Sequence, residues 1–277
     1  MTDTREFEQM EKDGWSNPKI AQGYAEGFAT ASQQIALALA STVAAKSGTR
    51  ALDLCTGHGV VAAALIARGA EATGLDFSEA MIALARKAVP RAAFMQGDAM
   101  DLTFPDSQFD AVTIGFGVPH FPDTAKGLAE AARVLKPGGR LAFSIWKGQG
   151  SDGSFGWLFD AVERIGDKSV TLPPGPDAHA LADPDAAQDM VSQVGLVDFK
   201  LTEFATHLWI AAADDLFDVF DQGAVRAASL LSGQPQQLRQ AIRDDLAKQV
   251  GAHGTPHANG FLVAAPSVVV TARKPAP

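Results

Sequence analysis

Five consecutive residues, Cys55-Thr56-Gly57-His58-Gly59, separate a short apolar run from an alanine-rich one. The pattern predicts a strand over Arg50–Leu54, a tight turn, and a helix over Val60–Arg68. Gly57 and Gly59 permit the turn and let a ligand approach the main chain. The helix that follows aims free N–H groups and partial positive charge at the same place, which suits a phosphate or a carboxylate. An isolated turn of this kind is as readily plain punctuation between a strand and a helix. Two carboxylates narrow the reading. Asp76 ends the next strand, Glu71–Leu75, where a doubly wound sheet can use an acid to bind both hydroxyls of a ribose. It also stands three residues before Glu79 in the spacing of a capping box. Asp98, in Gln96-Gly97-Asp98-Ala99-Met100, ends the strand Ala92–Gln96 and can accept from an adenine amino group. Three such features at consecutive strand ends point to a nucleotide-like ligand at the carboxyl edge of a sheet.

The elements that must position these residues alternate. After a polar lead-in to Gln33 and a helix over Gln34–Ala45, strands and helices follow in turn: helix Glu79–Ala88, strand Ala111–Gly115, helix Lys126–Leu135, a Lys-Pro-Gly-Gly turn and strand Arg140–Trp146. This is the signature of βαβ units, a mainly parallel sheet, and right-handed crossovers with helices on both faces. Beyond Trp146 the rhythm changes. A helix over Phe155–Ile165, a proline-rich loop and a helix over Asp185–Val194 lead to a long strand, Val197–Ile210. Helices over Asp214–Phe220 and Ala224–Val250 precede a terminal strand, Phe261–Ala272. The expected organisation is a helical lead-in over 1–46, a Rossmann-like core over 47–210, a helical cap over 211–260 inserted between the last two strands, and a closing strand over 261–277.

Composition bounds the function. With 277 residues, 47% hydrophobic and 20% charged, the chain has the balance of a globular protein. A net charge of −9 and the lack of a Lys/Arg cluster argue against a nucleic-acid partner. The single cysteine excludes an internal disulfide and a cysteine-built zinc site. The acid pairs Asp214-Asp215 and Asp244-Asp245 fall on predicted helices as solvated faces, so no metal is expected. The amino-terminal residues lack the apolar core of a signal peptide, and the apolar run near Ile35 is too short to span a bilayer. A cytoplasmic monomer or homodimer with no membrane partner is the expectation.

Four segments together resemble a known family: LDLCTGHG, then GLDFSEAMI, then FMQGDAMDLTFPDSQFDAVTIGFGVPHFPD, and ARVLKPGGRLAFSIW. Their order and spacing over Ala51–Trp146 are similar to class I S-adenosylmethionine-dependent methyltransferases, in the branch of the ubiquinone/menaquinone-biosynthesis C-methyltransferases. The resemblance implies a seven-stranded, doubly wound α/β sheet. It also implies that Asp53, with the turn through Cys55, Gly57 and Gly59, holds the methionine part of the cofactor. Asp76 would take the ribose, Phe77 and Met81 would flank the adenine, and Asp98 with Ala99 or Met100 would read its edge. Gly115 and Phe116 would border the sulfonium, and Trp15 and Tyr24 would fold over the cofactor. The chain departs from the family at Cys55, where a glycine is usual, and at His58, where a small residue is commoner. A dinucleotide site is the competing reading of the turn, but no third glycine follows Gly59 in register.

Methyl transfer from a sulfonium is an in-line displacement, so the protein must align nucleophile, methyl carbon and sulfur in a water-poor pocket. His120, in Gly117-Val118-Pro119-His120, is the candidate base for an acceptor that must lose a proton. His179 and His207 are weaker candidates, and His253 and His257 read as loop residues. Trp146, Trp157 and Phe159 could line an acceptor pocket, and Leu216, Phe217, Val219, Phe220, Leu230 and Leu231 could wall it. The expected function is methylation of a small, partly apolar organic acceptor, with oxygen slightly preferred over carbon, nitrogen or sulfur. The alternatives are a non-catalytic protein that binds S-adenosylmethionine or S-adenosylhomocysteine and, third, a dinucleotide-dependent oxidoreductase.

Overall fold

Leu52, Leu54, Val112, Ile114, Leu141 and Phe143 are all buried on short strands, because helices cover both faces of the sheet that contains them. The computed structural model describes residues 4–276. In chain order, α1 (Arg5–Ser16), α2 (Pro18–Gly27) and α3 (Ala29–Thr42) precede β1 (Arg50–Leu54), α4 (Val60–Ala67), β2 (Glu71–Asp76) and α5 (Glu79–Ala88). Then come β3 (Ala93–Gln96), β4 (Phe109–Ile114), α6 (Thr124–Val134), β5 (Leu135–Trp146), α7 (Ser154–Ile165) and α8 (Pro184–Gln193). The chain continues through β6 (Val197–Phe204), β7 (His207–Ile210), α9 (Asp215–Gly223), α10 (Val225–Ser232) and α11 (Gln236–His253). It ends with β8 (Thr255–His257), β9 (Gly260–Ala264) and β10 (Ser267–Arg273).

These elements form two compact units. One, the sheet unit, comprises residues 32–145, 176–204 and 267–276. Its seven strands lie in the order β3-β2-β1-β4-β5-β10-β6. β1 pairs in parallel with both β2 and β4, β2 with β3, and β4 with β5, while β10 and β6 are antiparallel. Successive strands thus run outward from β1 on one side and from β4 on the other. The gap between β1 and β4 is the topological switch point, and its carboxyl edge is where such sheets bind ligands. This is the doubly wound, mostly parallel α/β fold expected from the alternation of elements.

The other, the helical unit, comprises residues 4–31, 146–175 and 205–266. It holds α1, α2, α7, α9, α10 and α11 and a small sheet ordered β7-β9-β8. Its core is an aromatic stack. Trp146 lies on Phe155 at 5.1 Å, Phe155 meets Phe220 edge-on at 5.0 Å, and Phe28 packs against all three at 6.1 Å.

Several elements differ from the sequence reading. The long strand expected over Val197–Ile210 is two strands in different sheets, and so is the one expected over Phe261–Ala272. Both break at the same level. The Thr206 hydroxyl donates to the Ala265 carbonyl, and the Ala265 N–H returns a bond to the Thr206 carbonyl at 2.8 Å. Pro266, which has no N–H, follows at once and stops that ladder from continuing. The polar lead-in is helical, as α1 and α2. The Lys-Pro-Gly-Gly turn is instead an irregularity inside β5: Phe109 pairs with Leu135 but Ala111 already pairs with Arg140. Gly138, at φ +77°, accommodates the extra residues.

Candidate functional site

β1, β2, β3 and β4 are parallel, so residues just past their last positions meet at one edge. There the Gly57 N–H donates to Asp76 Oδ2 at 2.9 Å, which locks the turn after β1 onto the end of β2. Asp76 Oδ1 accepts from the Ser78 N–H, also at 2.9 Å. The capping-box reading of Asp76 is therefore corrected. Ser78 caps α5 by accepting from the Met81 N–H, while Glu79 turns away to an ion pair with Arg86 at 2.9 Å. A serine one residue before the helix is better placed for that N–H than an aspartate held by the neighbouring turn. Burial pushes the Asp76 carboxyl up, and the Ser78 and Gly57 N–H groups, the His120 charge and the Phe77 N–H pull it back. His120 therefore stands close enough to Asp76 for its charge to be felt there. It ends a single turn of 3-10 helix, Val118–His120, with its N–H on the Gly117 carbonyl at 3.0 Å.

Asp53 plays a different part from the one expected. Its carboxyl is fully buried, with Oδ2 accepting from the Thr56 hydroxyl at 2.6 Å and Oδ1 from the Thr113 hydroxyl at 2.8 Å. It also accepts the backbone N–H of Ala62, in the first turn of α4. Asp53 thus ties β1, β4, the turn and the start of α4 together from within, and shapes the turn without lying on its surface. Burial raises it to about 7, against the pull of Thr56, Thr113 and the Ala62 N–H. Thr56 and Thr113 were not singled out from sequence. The signal was a hydroxyl residue within three positions of an acid in a strand, but Thr113 is remote in sequence and only the β1–β4 register brings it there.

The turn itself is open on one side. Gly57 sits at φ +52°, and a side-chain carbon there would meet nothing nearer than the Cys55 carbonyl and Met81 Sδ, both at 4.0 Å. A ligand can therefore lie against this backbone. Gly59, at φ +86°, is closed in by Ala85, Phe94 and Val89 and serves the strand-to-helix packing. Cys55 and Phe116 hold left-handed backbone, at φ +51° and +57°, a costly conformation for residues with a side chain and one that clusters at ligand sites. The Phe116 N–H is secured by the Ser144 hydroxyl at 3.0 Å. Burial, and then the charges of Asp76, Asp53 and Asp98, push the Cys55 thiol well up, so it stays protonated and inert as a nucleophile.

Toward β3, Phe77 is half-buried, its carbonyl held by Gln96 Nε2 at 2.9 Å, and Met81 and Ala99 are buried. Asp98 is exposed, with Oδ1 on the Met100 N–H at 2.8 Å. Gly115 follows β4 and faces Val61 of α4. The structure thus brings Cys55, Gly57, Asp76, Phe77, Met81, Asp98, Ala99, Met100, Gly115, Phe116 and His120 to one edge of the sheet unit. Trp15 and Tyr24 belong to the helical unit, where Tyr24 stacks on Phe28 at 5.1 Å and meets Trp15 edge-on at 5.4 Å. Trp146 is part of the stack described above, Trp157 packs on His253 at 5.7 Å, and Phe159 is half-buried on α7. Leu216, Phe217, Phe220 and Leu231 are buried core residues of the same unit. His207 is on β7 and His257 on β8, and His179 lies in the loop before α8. Among the described residues no group of three His, Cys, Asp or Glu could hold a metal ion, and no helix is long and apolar enough to cross a membrane.

Residues 52–143 match a family profile described as a methyltransferase domain. The demethylmenaquinone methyltransferase of Clavibacter sepedonicus is 46% identical over 108 residues, which are 38% of this chain and 44% of that protein. The corresponding protein of Thermus thermophilus is 51% identical over 102 residues, 35% of this chain and 46% of its own. The chain therefore spans under half the length of these curated relatives. Among solved structures, the YcgJ protein of a Bacillus species aligns with a TM-score of 0.57 at 21% identity, over 88% of this chain and 100% of that one. A Haemonchus contortus phosphoethanolamine N-methyltransferase bound to S-adenosylhomocysteine aligns at 0.53 and 19%, over 87% and 52%. The [4+2]-cyclase SpnF aligns at 0.53 and 19%, over 88% and 82%. At these identities the structural matches speak for the fold. The sequence matches go further over about a third of the chain: residues 52–143 are similar to a methyltransferase domain, and the same stretch is similar to the demethylmenaquinone methyltransferases.

Proposed function

We propose that this chain transfers a methyl group from S-adenosylmethionine to a small, partly apolar organic acceptor. One observation carries the reading: the Gly57 N–H bound to Asp76 Oδ2 at 2.9 Å. It joins an open glycine backbone to a carboxyl at the strand end where an acid takes a ribose hydroxyl, with Asp98 one strand further on for the adenine. When bound, the cofactor supplies a methyl group on a sulfonium, an electrophile with a good leaving group. The chain supplies placement. The turn through Gly57 would hold the amino-acid end, Asp76 the ribose, and Phe77, Met81, Asp98, Ala99 and Met100 the adenine. Gly115 and Phe116 would border the reacting carbon. His120 would take the acceptor's proton on an imidazole nitrogen.

Two acceptor atoms fit this chemistry. Oxygen is the expectation from the sequence. Carbon is the second reading, and it draws support from the relatives named for demethylmenaquinone. Deprotonating a quinol hydroxyl makes both its oxygen and the adjacent ring carbon nucleophilic, so one base serves either outcome. The cyclase SpnF shows that the fold also hosts other reactions. Isothermal titration with S-adenosylmethionine, S-adenosylhomocysteine and NADH tests the cofactor. Both adenosyl compounds should bind, NADH should not, and Asp76→Ala should weaken binding by about 10- to 100-fold, as loss of a charged hydrogen-bond acceptor does. Mass spectrometry of quinol and phenol acceptors after incubation then separates carbon from oxygen transfer. Binding without turnover on any acceptor would favour a non-catalytic role, and binding of NADH alone would overturn the reading.

A further inference from the structure

α3 leads into β1 through residues 43–49, so its last turn lies at the amino edge of the sheet and its first turn points to the carboxyl edge. Two contacts set its height. Arg140, level with Ala111, donates from Nη1 to the Thr42 carbonyl at 3.4 Å. Leu39 reaches the end of β4, its Cδ1 being 3.7 Å from where a side-chain carbon on Gly115 would stand. Ser32 is seven residues earlier on the same buried face, which Ile35 and Ala36 share at 1% exposure. Seven residues of helix rise about 10 Å, which carries Ser32 past the strand ends to the edge that holds the Gly57 turn.

Ser32 is only 4% exposed, and its hydroxyl has no hydrogen-bond partner. A helical serine ordinarily bonds back to the carbonyl four residues earlier or faces water. Ser32 does neither, and a buried hydroxyl left unpaired costs stability. We infer that Ser32 binds the carboxylate at the amino-acid end of the cofactor, donating its hydroxyl proton to a carboxylate oxygen. This rests on the cofactor reading above. Strand order selects the end: Leu39 sets α3 beside β4, whereas Asp76 and Asp98 follow β2 and β3 on the far side of β1. Charge selects the group: Asp53, Asp76 and Asp98 give this edge acceptors, so a ligand carboxylate needs donors, which a hydroxyl and the backbone N–H groups of the turn provide.

Isothermal titration of the full chain with two ligands tests the assignment: S-adenosylhomocysteine, and 5′-methylthioadenosine, which keeps the sulfur and the adenosine but has no amino-acid part. Ser32→Ala should weaken S-adenosylhomocysteine roughly three- to tenfold and leave methylthioadenosine unchanged. Ser32→Thr, which keeps the hydroxyl, should restore binding of the first ligand. Ligand-free Ser32→Ala should melt at or above the wild-type temperature, since it loses an unpaired buried group and no bond. Equal loss on both ligands, or no loss on either, would overturn the assignment. Failure of the wild-type chain to bind either compound would instead overturn the cofactor reading beneath it.

Discussion

Asp53 shows how a single buried acid can govern a site it does not line. Its carboxyl is raised to about 7 because burial penalises the charge more than two hydroxyls and one N–H favour it. Between the ordinary carboxylate value and about 7, the folded chain therefore holds a proton that the unfolded chain has released. Stability from this group is complete below about pH 4 and is lost as pH rises toward 7, by a few kcal/mol at most. Asp53→Asn keeps the shape and stays neutral, so its stability should fall less across that window than the wild type's. Urea denaturation at pH 4.5 and 7.5 checks it, and an equal change in stability with pH in both proteins would sink the idea. The raised Asp76 contributes in the same direction and remains in the variant. The acid at position 53 was legible in sequence as part of the turn. Its burial was not, because that depends on Thr113, sixty residues away, standing opposite it across β1 and β4.

At the scale of elements, the turn after β1 and the one after β4 fit together through Cys55 and Gly117. A side-chain carbon on Gly117 would stand 2.4 Å from Cys55 Cβ and 2.8 Å from its Sγ, so the thiol occupies room that Gly117 leaves. This gives the cysteine a packing role: its side chain fits against the loop that carries His120. Gly117→Ala should cost about 1–3 kcal/mol through overpacking. Cys55→Gly removes the obstacle and suits the left-handed φ of +51°. The double variant should therefore be more stable than the two single losses sum to, by a coupling that a double-mutant cycle on denaturation free energies measures directly. Simple additivity would show that the two turns do not share this space. The β1–α4–β2–α5 run was readable to within a residue or two because apolar periodicity, glycine and an acid punctuate each junction. The strands around Thr206 and Ala265 were not. Alternation continues straight through both breaks, and only the pairing of those two residues shows where one sheet ends.

Across the whole molecule, the least legible region was the amino-terminal one, and the reason is a buried charge. Phe7, Glu11 and Trp15 fall at i, i+4 and i+8 on α1, and all three are buried. With an acid in the middle of its apolar stripe, the segment reads as a polar lead-in. Its partners come from far along the chain: Glu11 Oε1 accepts from Arg226 Nε at 2.8 Å, and Oε2 accepts from Trp15 Nε1 at 3.0 Å. The Arg226 guanidinium also lies over the Phe7 ring at 4.5 Å. Close backbone contact adds to this, for a side-chain carbon on Gly23 would strike the Gln222 carbonyl at 2.1 Å. α1 and α2 are therefore fixed parts of the helical unit: α1 is joined to α10 by a pair that is 2% and 16% exposed, and α2 packs on α9. Removing one partner leaves a buried charge unpaired, so Glu11→Ala should cost about 3–5 kcal/mol in denaturant unfolding. Replacing both, as Glu11→Met with Arg226→Met, removes the two desolvation penalties together and keeps apolar contact with Phe7. The double variant should recover most of that loss. If it is instead as unstable as Glu11→Ala, the stripe depends on the Trp15 hydrogen bond and the ring-stacked guanidinium more than on the balance of charge. α1 would then owe its place to bonds that no apolar pair can replace.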